Sequence, residues 1–284
     1  MPWFDGSHIY TAIEHFWRYI FSKEFKDDLH KIHPDLKVRY TDIIVSGDSA
    51  GSWLAMHSLI TPDLAINRFD GTTGPLHIGA VFAQYPMLRH YQRTVPAKGA
   101  VFMGLKRNGI HIREHGEALR KAWGNWHAAL KKAEISPFDV DIPRPWAPFG
   151  MQAAFLSSHN HPLWKDMFQN GNTDLKDIPE RLQDKATQKS LAQRKSVPWF
   201  YIYHGDKDIN CPIQDTRDTI ALLKQCYEAN PYRSSDRDLC FFFSELKDID
   251  HGFDHDFGIE DLKCLKEFYG SLNDFFILGK AGTN

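Results

Sequence analysis

The stretch Asp42-Ile43-Ile44-Val45-Ser46-Gly47-Asp48-Ser49-Ala50-Gly51 decides how the chain is read. Ile43, Ile44 and Val45 form a β-branched run without polar alternation, the pattern of a strand buried on both faces in a parallel sheet. The run stops at Gly47. Gly47 and Gly51 flank Ser49 in the spacing G-x-S-x-G, where small residues let the backbone turn tightly enough to hold a hydroxyl above a sheet. The next segment, Ser52-Trp53-Leu54-Ala55-Met56-His57-Ser58-Leu59, is built of helix formers, so its N-terminal N–H groups are expected to aim at Ser49. The Ala50 amide is the donor that such a corner itself supplies. The pentapeptide alone is weak, because glycine and serine are common enough to produce it by chance in about one chain in ten of this length. Its weight comes from the strand before it and the helix after it; a bare match is as easily a glycine turn with a solvated serine.

The bulk composition narrows the possibilities. With 284 residues, 42% of them hydrophobic and 13% aromatic, the chain can bury a sizeable core as one large α/β domain or as a core with a cap. A net charge of -2 provides no field for nucleic acid or an anionic membrane surface, so neither partner is expected. Cys211, Cys226, Cys240 and Cys264 lack C-x-x-C spacing, which favours buried thiols over zinc or redox chemistry. Met1 is followed by Pro2-Trp3-Phe4-Asp5-Gly6 with no basic and apolar leader, and no apolar run reaches membrane-spanning length. A soluble, cytoplasmic chain without a transmembrane segment is the expectation.

Outward from the corner, Ser7 is placed as the cap of a helix reaching about Phe21, with Ile9, Ile13, Phe16, Trp17 and Ile20 on one buried stripe. Lys23, Glu24, Lys26, Asp27 and Asp28 read as a solvated face, and His33-Pro34 ends the pattern. Residues 78–83 form a second parallel strand, ending at Tyr85-Pro86. From about 95 to 196 the pattern loosens into helical pieces broken by Pro137, Pro143, Pro145 and Pro148. Its aromatics, Trp146, Phe149, Phe155, Trp164 and Phe168, form either a lid over a pocket or simple packing of the insert onto the core. The basic run around 185–195 reads as a surface helix or loop. Residues 197–203 make a third strand that leads into His204-Gly205-Asp206-Lys207-Asp208. A helix follows from Ile213, with Ile220, Leu222, Leu223 and Cys226 inward. Residues 239–243 make a fourth strand leading to His251-Gly252-Phe253, and a helix over 260–278 carries the stripe Leu262, Leu265, Phe268, Tyr269, Leu272 and Phe275. The core is thus 1–94 with 197–284, and the helical insert is 95–196.

A serine hydroxyl is a poor nucleophile at neutral pH and needs an imidazole to take its proton and a carboxylate to orient that imidazole. Asp208 past the third strand and His251 past the fourth are candidates, since an α/β sheet delivers its strand ends to one edge. Each has a plainer reading. Asp208 could be a turn residue or helix cap ahead of Pro212, and a loop histidine beside Asp250 and Asp254 is often a surface group. The order Ser, Asp, His, each at the end of an apolar strand, is what distinguishes them.

Gly47-Asp48-Ser49-Ala50-Gly51, the turn Gly205-Asp206-Lys207-Asp208 and His251-Gly252-Phe253 resemble the α/β-hydrolase superfamily, and within it the hormone-sensitive-lipase-like esterases. The resemblance covers most of the chain outside the insert. It implies Ser49 as nucleophile, Asp208 as triad acid, His251 as base, the Ala50 amide in the oxyanion hole, and hydrolysis of a small-molecule carboxylic ester without metal or organic cofactor. The same triad also serves lactone or peptide cleavage, and relatives of this fold include ligand-binding modules. One departure from the family pattern stands out: no His-Gly-Gly segment precedes Ser49, since His8, His15, His30 and His33 are not followed by glycine. The resemblance therefore implies that the N-terminal strands of the fold are missing, which would leave Ile43, Ile44 and Val45 on a sheet edge and the hydrolase impaired.

Overall fold

A computed structural model describes residues 6–36, 43–61, 65–67, 73–89, 101–102, 105–106, 128, 177–194, 197–208, 210–228, 230, 241–256 and 261–270 without 264 and 268. The chain divides into two compact units, residues 1–36, 66–74 and 89–177 in one, and 37–65, 75–88 and 178–284 in the other.

The second unit holds a four-stranded parallel sheet, β1 (Ile43–Asp48), β4 (Ile78–Gln84), β7 (Trp199–Gly205) and β8 (Phe241–Leu246), in the order β1-β4-β7-β8. The register sets Asp48 opposite Gln84, Gln84 opposite Tyr203 and Gly205 opposite Leu246, so all four carboxyl ends reach one edge. Val81 and Phe200 on the two central strands are fully buried, as the apolar runs require. β1 is different: only Val45 of the three β-branched residues is buried, and Ile43 and Ile44 are half-buried, because among the described residues β1 is a terminal strand of the sheet. Burial on both faces, expected from the lack of polar alternation, is therefore not reached.

Helices flank the sheet. α3 (Ser49–Ile60) packs on β1 and β4 and buries Trp53, Ala55, Met56, Leu59 and Ile60, consistent with its apolar character on nearly every side. α4 (Ile178–Gln183) and α5 (Lys185–Ala192) pack with each other and with α6 (Ile213–Glu228), and α6 also touches β7. Asp184 caps α5, its carboxylate accepting from the Thr187 amide at 3.1 Å. These two helices come from the segment expected as an insert, yet they belong to the unit with the sheet, where Ile178, Leu182 and Leu191 are fully buried. The basic run forms α5, and both of its buried residues, Thr187 and Leu191, lie on one face. The aromatics expected to form a lid lie outside the described residues.

Between β7 and β8, aromatic cross-strand pairs replace the usual aliphatics. Phe200 stacks on Phe241 at 4.6 Å and Tyr201 on Phe242 at 4.7 Å, each within a few degrees of parallel. β2 (Ala65–Asn67) with β3 (Thr73–Pro75), and β5 (Val101–Phe102) with β6 (Leu105–Lys106), form two-stranded sheets of their own.

In the first unit, α1 (Gly6–Ile20) begins ahead of Ser7, which therefore sits in the first turn and not at the cap. Trp17 is buried as expected, but Phe16 is 54% exposed and leaves the stripe. α2 (Lys23–Ile32), capped by Ser22, has no buried residue and carries the Lys23–Asp27 and Lys31–Asp28 pairs, as a solvated face should. In the C-terminal helical segment Leu265 is buried, whereas Tyr269, expected on the inner stripe, is 44% exposed. Among the described residues, no helix is long and apolar enough to cross a membrane.

Candidate active site

Ser49 occupies the junction of β1 and α3 with φ of 47°, a left-handed conformation that a non-glycine residue holds only when its surroundings impose it. Two devices impose it. A Cβ on Gly47 would lie 2.2 Å from the Gly51 carbonyl carbon, so strand and helix approach closely only because residue 47 has no side chain. Fully buried Ser52 donates to the Gly47 carbonyl at 2.5 Å and accepts from the Gln84 amide at 3.1 Å, tying the turn to the end of β4. The Met87 amide then donates to the Ser49 carbonyl at 3.0 Å. Ala50, second in α3, is among the first amides of the helix, which have no intrahelical carbonyl partner.

The turn after β7 carries Asp208, whose side chain is fully buried. The loop after β8 crosses it: a Cβ on Gly205 would meet the Ile249 carbonyl oxygen at 2.2 Å, and the Lys207 amide donates to that oxygen at 2.9 Å. The Asp206 amide donates to the Leu246 carbonyl, and the Asp248 amide to the Asp206 carboxylate. This lacing sets His251 beside Asp208.

The three residues form one chain of hydrogen bonds. His251 Nδ1 lies 2.7 Å from Asp208 Oδ2, and His251 Nε2 lies 3.0 Å from Ser49 Oγ. With Nδ1 facing a carboxylate, that nitrogen carries the proton in the neutral ring, which leaves Nε2 to accept from the serine hydroxyl. Such an arrangement can draw a proton from the hydroxyl as it attacks an electrophile.

Burial opposes charge on both partners, but their mutual interaction prevails. Asp208 is held below the ordinary carboxylate range by the hydrogen bonds of His204 and His251 and by the backbone amide of Cys211. His251 is held above the ordinary imidazole range by Asp208 and by the neighbouring Cys211 thiol.

Against known proteins, no family model matches the chain, and no curated sequence does either.

Several neighbours of the triad were not singled out as functional from the sequence. Asp208 Oδ2 also accepts from His204 Nε2 at 3.0 Å, and Oδ1 accepts from the Asn210 and Cys211 amides, each at 2.8 Å. His204 is fully buried on β7, with Nδ1 2.8 Å from Thr216 Oγ1 on α6. Its only advance signal is position, at the head of the turn that ends in Asp208. Tyr85, just past β4, has φ of 33° and presents its ring to His251 at 4.6 Å, edge to face. Its hydroxyl donates to Asp254 at 2.7 Å, and Tyr203 donates to the same carboxylate at 3.1 Å. Asp254 belongs to the 3₁₀ turn Phe253–Asp256 immediately after His251, so the carboxylate that made His251 look like a surface residue anchors its loop. Burial and the Asp254 carboxylate together push the Tyr85 hydroxyl far above the ordinary phenol range, so it remains a donor.

Asp208, Cys211 and His251 also bring oxygen, sulfur and nitrogen atoms within 4.8 Å of one another. A cation there would compete with the 2.7 Å hydrogen bond between Asp208 and His251. Cys211 and Cys226 are buried and outside any disulfide, while Cys240 and Cys264 lie outside the described residues.

Proposed function

We propose that the chain is a serine hydrolase acting on carboxylic esters through an acyl-enzyme, with an α/β-hydrolase core of the hormone-sensitive-lipase-like kind. The observation that carries this reading is the continuous relay from Ser49 Oγ through His251 to Asp208, at 3.0 and 2.7 Å. In this mechanism Ser49 attacks the ester carbonyl as its proton passes to His251 Nε2, and Asp208 stabilises the resulting imidazolium. The Ala50 amide receives the developing oxyanion at the N-terminus of α3. Collapse expels the alcohol, which takes the proton from His251. Water, activated by the same imidazole, then releases the acid. These steps need no group beyond the chain's own residues and water, and the substrate class is a small ester.

Further support comes from the strained φ of Ser49, since a residue held in an unfavourable conformation by its surroundings is a mark of functional sites. The test is titration of the folded chain with a fluorophosphonate, followed by peptide mapping. Labelling is expected at Ser49, absent in Ser49→Ala and strongly slowed in His251→Gln. A folded chain that stays unlabelled refutes the hydrolase reading and favours a ligand-binding protein of the same fold. For a labelled chain, turnover of an ester panel against lactones and peptides identifies the bond cleaved.

A further inference from the structure

We propose that His204, fixed by Thr216, is a positioning residue that holds the Asp208 carboxylate in the one orientation that serves His251. The inference rests on the hydrolase reading and extends the relay to Thr216, His204, Asp208, His251 and Ser49.

A carboxylate can rotate about its last bond and exchange its two oxygens unless both are tethered. Here both are. Oδ1 is pinned by two backbone amides at 2.8 Å, and Oδ2 is shared between His204 Nε2 at 3.0 Å and His251 Nδ1 at 2.7 Å. Nε2 of His204 faces only acceptors, Asp208 Oδ2 and the Cys211 carbonyl at 2.7 Å, so it carries a proton. Nδ1 is hydrogen-bonded to the Thr216 hydroxyl at 2.8 Å, which fixes the ring from the α6 side. His204 and Thr216 are both fully buried, so water cannot replace either contact. Glycine at 205 and the turn behind it bring Asp208 back over the end of β7, four residues after His204, where the histidine can reach it.

The arrangement also moderates charge. An N–H donated to Oδ2 withdraws electron density from the oxygen that binds His251, so the carboxylate is a weaker base toward His251 than it would be alone. Removing that donor raises the proton affinity of the Asp208–His251 pair as a whole, whichever member takes the proton. Among the described residues, the titratable groups around this pair include His204 from β7, Cys211 from the turn before α6, Asp250, whose carboxylate accepts from the His251 amide, and Tyr85 from the end of β4, which donates to Asp254.

His204→Leu, His204→Gln and Thr216→Val distinguish positioning from simple core filling. Leucine removes the donor, glutamine restores an N–H at similar reach, and valine keeps the shape of Thr216 without its hydroxyl. His204→Leu is expected to lower kcat about tenfold to a hundredfold with KM within about twofold, the usual range for a partner one shell out from the reacting groups. His204→Gln is expected to recover most of that loss. A readout independent of turnover is the titration of the His251 ring by proton NMR, whose midpoint should move upward in His204→Leu and, by less, in Thr216→Val. A folded His204→Leu chain with wild-type kcat and an unmoved His251 midpoint overturns the proposal. If that variant does not fold, an unmoved midpoint in Thr216→Val overturns it instead. A wild-type chain inert to fluorophosphonate and esters, in which the variants still move the His251 midpoint, overturns the hydrolase reading while supporting the coupling of His204 to the pair.

Discussion

Gly47 and Gly51 look equivalent in the G-x-S-x-G spacing, but their neighbours separate them. A methyl group on Gly47 would collide with backbone atoms of Gly51 and Ser52 at 2.2 to 2.6 Å, and backbone cannot move aside without undoing the corner. On Gly51 its nearest neighbour is an Asp48 carboxylate oxygen at 3.4 Å, at the end of an exposed side chain. Gly47→Ala is therefore expected to cost ~3 kcal/mol or more, the upper range for overpacking, and to abolish labelling of Ser49. Gly51→Ala should stay within about 1 kcal/mol of wild type, since alanine favours the helix that residue 51 has already entered. Urea midpoints of the two variants check this, and equal losses would mean that the close approach at Gly47 is not what shapes the corner. The motif identified the glycines, but only the packing ranks them.

At the scale of elements, the site is made by strand ends and the turns that follow them. The apolar pattern placed the last strand at 239–243, whereas β8 is Phe241–Leu246. Ser244 and Glu245 read as the end of an apolar run, but among the described residues β8 is a terminal strand of which no residue is fully buried, so polar residues continue it. The 3₁₀ turn after His251 was not legible either, because its anchors, Tyr85 and Tyr203, lie 169 and 51 residues from Asp254. Asp254→Ala leaves two buried tyrosine hydroxyls without that acceptor and releases the loop bearing His251. The expected result is a loss of about 1 to 3 kcal/mol and slower labelling of Ser49, with Asp254→Asn intermediate because its amide oxygen still accepts. Wild-type stability and labelling rate in Asp254→Ala would show that the turn does not hold His251.

For the whole molecule, the Asp208–His251 pair links folding to pH in a direction that activity opposes. His251 has its folded pKa raised above 6.5, so the stability it contributes is complete below that pH and is lost as pH climbs through the raised value. Asp208 has its pKa lowered from 3.8, so its contribution is complete above 3.8 and is lost as pH falls through the lowered value. The pair thus supports the fold best between these limits, as imidazolium and carboxylate. The proposed reaction needs the neutral imidazole, so kcat/KM is expected to keep rising with pH above 6.5 while the pair's share of Tm declines. A pH series of Tm and kcat/KM on the wild type, with Tm also measured for His251→Gln, checks both. The variant should lose the alkaline decline attributable to residue 251, and parallel Tm curves would refute the linkage.

Local pattern was enough for the pieces: a β-branched strand into a glycine-flanked serine, a helix behind it, and an aspartate and a histidine after two later strands. Such features depend on neighbours within a few residues, where side-chain type and spacing are enough. Tertiary structure alone decided that Ser49 and His251, 202 positions apart, meet at hydrogen-bond distance. It also decided that His204 shares the Asp208 carboxylate, that Asp254 accepts from two tyrosines, and that Ile43 and Ile44 of β1 are only half-buried. Each of these depends on which strands become neighbours and in what register, and that is set by long-range packing which no local pattern encodes.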